Sequence, residues 1–98
     1  MLATIQEHVE VTPGVCGGKP RVAGHRIRVA DIAVLHQRSG KTPDEIAELY
    51  PSLSLADIHA ALAYYFDHRP EIDADILSDQ VLADEARLER TSRLAFES

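Results

Sequence analysis

A mainly α fold is predicted: a trihelical helix-turn-helix core, with a short N-terminal β-ribbon before it and a C-terminal helix after it. Three observations predict it. From Ala30 onward, apolar residues recur at helical spacing in successive segments separated by Gly or Pro. Two of these segments open on capping signatures, Thr42 to Glu45 and Ser54 to Asp57. Before Ala30 the chain alternates polar and apolar residues in short runs punctuated by Gly17, Gly18, Pro20 and Gly24, which suits paired extended segments.

The first element is "HVEV", His8 to Val11, a short strand that meets the turn former Thr12-Pro13-Gly14. The second is "HRIRV", His25 to Val29, in which Ile27 and Val29 point one way and Arg26 and Arg28 the other. A helix follows from Ala30, with Val29, Ile32, Ala33 and Leu35 on one face and Gly40 suited to its C-cap. In "TPDEIAELYP", Thr42 caps, Pro43 suits the first helical position and Glu45 completes a capping box. Pro51 disfavours helical geometry at Tyr50 and stops that helix. Ser54 caps the next helix, whose apolar stripe is Leu55, Ile58, Leu62 and Tyr65 and which Pro70 ends. The tail lacks Gly and Pro, so a helix is expected from about Glu71 to about Ala95, with Ile72, Ile76, Leu77, Val81 and Leu88 as its apolar side.

Ninety-eight residues allow one modest hydrophobic core, and 45% apolar with 27% charged residues places the chain among ordinary globular proteins. No apolar run reaches the roughly 20 residues that span a bilayer, and the start "MLATIQEHVEV" lacks the pattern of a signal peptide. Cys16 stands alone, so no internal disulfide or cysteine zinc site forms, and it reads as a small filler beside a turn. A cytoplasmic location is expected. The net charge of -6 argues against a protein that coats nucleic acid non-specifically. The charge is uneven, however: the first forty residues are mildly basic and the acidity lies behind them.

The stretch "GGKPRVAGHRIRV" holds one Lys and three Arg. It is no phosphate loop, because Pro13 and Pro20 stand where the motif needs its first Gly and its hydroxyl. Lys19, Arg21, His25, Arg26 and Arg28 are the candidate DNA contacts, able to neutralise phosphates without reading sequence. Local ion pairs with Asp31 or Glu10 are the competing reading. The helix that would read bases offers Ser54, Ala56, Asp57, His59 and Ala60, none of them a type that makes bidentate base contacts. The five histidines show no His-x-x-x-His spacing, and no nucleophile sits in a recognisable setting, so no catalytic residue, metal site or cofactor is expected. In the tail, Arg87, Arg90 and Arg93 recur every third residue and Phe96 follows, a composition suited to binding a protein partner.

The run "GKPRVAGHRIRVADIAVLHQRSGKTPDEIAELYPSLSLADIHAALAYYFDH" resembles domain-of-unknown-function family 433, whose members include VapB-type antitoxins of toxin–antitoxin systems. Gly18, Lys19, Pro20, Gly24, Arg26, Ile27, Val29, Gly40, Glu45, Ile46, Tyr50, Pro51, Leu53, Asp57, Ile58, Ala60, Ala61 and Leu62 carry the resemblance. His25 and Arg28 depart from it, standing where Thr and Pro are usual. The resemblance implies a winged or homeodomain-like fold, a homodimer, neutralisation of a PIN-like ribonuclease toxin, and autorepression at operator DNA. On that reading residues 1–69 form the antitoxin-like helix-turn-helix domain with its ribbon, and residues 70–98 a helical tail for partner binding. The alternative is a protein-interaction or dimerisation module that never touches nucleic acid.

Overall fold

The structure, a computed structural model, describes residues 8–97, with side chains described as far as Arg90. Its elements are β1 (Val9–Glu10), a 3-10 turn (Cys16–Gly18), β2 (Arg21–Val22), α1 (Val29–Gln37), α2 (Pro43–Leu49), α3 (Leu55–Asp67) and α4 (Arg69–Glu97). The architecture is mainly helical, with one small antiparallel sheet. In that sheet Val9 faces Val22 and Glu10 faces Arg21.

The ribbon differs in place from the one the alternation predicts. The second strand is Arg21–Val22, and His25 and Arg26 belong to the turn that follows it. The His25 N–H donates to the Val22 carbonyl (3.0 Å), and Gly24 takes φ +77°, the positive value that a type II turn needs at its third residue. The chain then returns along the other edge of β2: Val22 N–H donates to Ile27 O (2.8 Å), and Arg21 bridges Arg28. Turn chemistry outweighs alternation here, because five residues cannot be both a tight turn and a strand.

Helix starts follow the capping signatures. Thr42 accepts from the Glu45 N–H (3.2 Å) while Glu45 accepts from Thr42 N–H (3.1 Å), and Ser54 and Asp57 repeat the exchange at 3.1 and 3.0 Å. α1 starts differently, with the Asp31 carboxylate accepting from the Arg28 N–H (3.0 Å). α3 stops at Asp67, before Pro70, and Pro70 lies inside the first turn of α4, where its missing N–H costs nothing.

The core gathers Val22, Val29, Ile32, Ile46, Ile58 and Tyr65, each essentially sealed from solvent. Fully burying side chains of this size stabilises by roughly 1.5–3 kcal/mol each. The ribbon contributes Val9, and α4 contributes Ile72 and Ile76. Two predicted stripes are only partly buried. Leu55 is exposed at the start of α3, and beyond Ile76 the apolar residues Leu77, Val81 and Leu88 face solvent. The reason is length: α4 spans 29 residues, about 43 Å at 1.5 Å per residue, and the globular body reaches only its first half. The radius of gyration of 15.8 Å accordingly exceeds the roughly 13 Å of a compact 100-residue domain. Among the described residues, no helix is long and apolar enough to cross a membrane.

Candidate interaction site

The five candidate DNA contacts are held in different ways. Arg21 is 8% exposed. Its guanidinium pairs with Glu10 (2.8 Å) and donates to Thr12 Oγ1 (3.1 Å) and to the His25 carbonyl (3.2 Å). It is a clasp inside the ribbon, binding β1, the following loop and the turn together. Lys19 reaches across to Asp75 of α4 (2.8 Å). Arg28 forks between Asp31 (3.0 Å) and Asp79 (2.9 Å). The Asp31 hydrogen bond raises the Arg28 pKa above its ordinary value, against the opposing effect of burial and with help from Asp79. Three of the five cations are therefore bonded to the protein's own carboxylates. His25 is half-buried in the turn, where its backbone is bonded. Arg26 is exposed and forms no ion pair with any described residue.

The helix pair α2–α3 presents little that reads bases. Ser54 serves as the cap, and Asp57 is held by Ser54 and by the His8 ring (2.6 Å), which pins the chain just before β1 to the start of α3. Burial pushes the Asp57 carboxyl up, but the Ser54 N–H and His8 outweigh it, so its pKa lies below the ordinary value. Ala60 is buried, and of those positions Ser54, Ala56 and His59 are exposed, Ser54 being engaged as the cap.

Sequence reasoning missed a groove of about 320 Å³ between α1 and α4. Val34, Leu35, Tyr50, Ile76 and Ala83 give it an apolar lining, and the Arg28, Asp31 and Asp79 cluster forms part of its wall. Asp31 lies three residues from Arg28 and was legible as a local partner. Asp79 lies 51 residues away, and only packing reveals it. Gln80 and Ala83 also line a second hollow, with Asp84, Arg87 and Arg90, so the groove runs on along α4 beyond the body. Positions 76, 80, 83, 87 and 90 alternate in steps of four and three, which keeps them on one helical face. Arg87 is bonded to Asp84, and both are exposed. Arg90 is exposed as well. Arg93 and Phe96, the other predicted partner contacts, lie outside the described side chains. No cluster of three or more His, Cys, Asp or Glu that could hold a metal ion occurs among the described residues.

The model of a family described as a protein of unknown function, DUF433, matches residues 9–65. The chain belongs to the DUF433 family. A crystal structure of a DUF433 member protein from Anabaena variabilis ATCC 29413 is similar, with a TM-score of 0.66 and 34% identity over 78% of this chain and 74% of that one. No curated protein matches. The DUF433 match takes in the ribbon, α1, α2 and most of α3, and ends at Tyr65. The groove is thus walled on one side by DUF433 residues and on the other by a helix beyond the family match.

Proposed function

We propose that the protein is a non-catalytic, antitoxin-like interaction module, which holds a partner protein against the α1–α4 groove and the projecting part of α4. One observation carries this reading: the face of α4 that packs on the body at Ile76 continues past it as Gln80, Ala83, Arg87 and Arg90. An apolar groove edged by arginines combines the residue types that anchor protein interfaces. The partner class suggested by the VapB-type resemblance is a PIN-like ribonuclease. Its acidic metal-binding centre suits guanidinium groups, which form charge-assisted, often bidentate bonds to carboxylates.

The test is RNA cleavage by a PIN-like ribonuclease encoded in the same operon. The full chain is expected to suppress it, and the Arg87→Glu/Arg90→Glu double variant to lose at least about tenfold in inhibition, or about 1.4 kcal/mol of binding, with its helical circular dichroism unchanged. Equal inhibition by the variant would overturn the assignment.

Operator binding is the second reading, and the exposed Arg26 in the ribbon turn favours it. Lys19, Arg21 and Arg28 weigh against it, because phosphates must displace carboxylates already bonded to them. A mobility shift of the promoter fragment at two salt concentrations separates the two readings. Phosphate contact gives affinity that falls steeply as salt rises, and Arg26→Glu removes it.

A further inference from the structure

The groove between α1 and α4 holds a charge that its own residues leave unbalanced. Among the described residues, Arg28 is the one Lys or Arg in its lining, and it serves two carboxylates. One terminal nitrogen of Arg28 donates to Asp79 (2.9 Å) and the other to Asp31 (3.0 Å). Two carboxylates against one guanidinium leave one negative charge in the lining. Both acids stay partly open to solvent, the Asp79 side chain at 48% and that of Asp31 at 35%. Beside them the surface is apolar, made by Val34, Leu35, Ile76 and Ala83. A carboxylate or phosphate entering here meets like charge, and the guanidinium that could receive it is already shared. A purely apolar occupant strips water from the two acids and gives nothing back. A long cationic side chain meets both demands. Its alkyl stem lies on the apolar surface while its head bonds the carboxylates.

We propose that the groove receives an arginine or lysine side chain of a partner protein, with an adjoining apolar residue beside it. The inference rests on the partner-binding reading of this groove and gives the partner a chemistry and a direction. A volume of about 320 Å³ lies near the lower end of the roughly 300–1,000 Å³ of ligand pockets, which suits side chains from a short segment. Further along α4 the balance of charge reverses. The second hollow sets Arg87 and Arg90 against Asp84, about 12 and 16 Å beyond Asp79 at 1.5 Å per residue. The partner therefore presents its cation at the groove and its carboxylates toward the projecting end. Charge order fixes how it lies along the helix.

Titration of the isotope-labelled full chain with acetyl-leucyl-arginine amide, followed by nuclear magnetic resonance, tests this without any ribonuclease. Saturable shifts of the Leu35, Tyr50 and Ala83 amides are expected, with a Kd of about 1 mM. The citrulline analogue keeps the shape without the charge and should bind at least about tenfold more weakly. Asp79→Asn leaves an oxygen for Arg28 but cancels the excess charge, and should cause a similar loss. Asp75→Asn is the control. It removes the same charge from the same helix, and weakens the same kind of contact with the body, but Asp75 pairs with Lys19 one turn outside the groove. It should bind the peptide as the parent does. Absent shifts, equal binding by the citrulline analogue, or equal weakening by Asp75→Asn would each overturn the proposal. Shifts at these amides that follow protein concentration alone would also overturn it, since a second copy would then fill the groove. A ribonuclease left uninhibited while the arginine peptide still binds sinks only the choice of that ribonuclease as the partner.

Discussion

A buried arginine is costly unless its donors are satisfied, and Arg21 meets that condition with a side chain, a hydroxyl and a backbone carbonyl. Its Nε alone is buried without a partner. The consequence for function is that this charge stabilises the ribbon and is not on offer to a ligand. Arg21→Ala is therefore expected to lower unfolding stability by about 2 kcal/mol, less than the roughly 3–5 kcal/mol for breaking a fully buried pair because Glu10 is half-exposed. Urea denaturation measures it, and an unchanged midpoint would restore Arg21 as a free surface contact. Cys16 also has a local role, its thiol lying 3.2 Å from the Arg26 carbonyl in the same ribbon.

At the scale of elements, capping decides where helices begin and long-range pairs decide how they are held. Asp57 does both: it closes the α3 capping box, sits at the positive end of that helix and holds His8. Its pKa lies below the ordinary aspartate value of 3.8. A carboxyl depressed by folding contributes stability that is fully present above its unfolded pKa and lost as pH falls through its folded one. Asp57→Asn should thus be less stable than the parent at pH 7 by about 1 kcal/mol, from the lost charge and weakened hydrogen bonds. The difference should close as the pH is taken below that of an ordinary aspartate. Thermal unfolding at pH 7 and in acid checks this, and a difference that persists in acid would assign the effect to packing. The same logic of satisfied ends joins α3 to α4, where the Tyr65 hydroxyl donates to Asp73 (2.7 Å) across the break at His68. Burial and that carboxylate together raise the Tyr65 pKa.

For the whole molecule, the question is where the body stops. The first turns of α4 belong to it, since Ile72 and Ile76 complete the core and Asp75 and Asp79 take Lys19 and Arg28. Truncation after Arg69 should cost several kcal/mol, about 2 or more for each buried isoleucine lost. Truncation after Ala83 should leave the midpoint nearly unchanged. Chemical denaturation of the two shortened chains distinguishes these outcomes, and equal stability would detach α4 from the body.

The sequence by itself determined the helical segments and their starts. Capping boxes and proline positions act within four or five residues, so Thr42, Ser54 and Pro43 were legible without a fold. The DUF433 resemblance was legible too, being carried by an ungapped run. Tertiary structure alone decided which charges are free. Lys19 and Asp75, or Arg28 and Asp79, are more than fifty residues apart, and no spacing rule connects them. It also decided which half of an evenly apolar tail is core and which is surface. Periodicity reports that a face is apolar, but only the packed body sets how far along α4 there is anything to bury that face against.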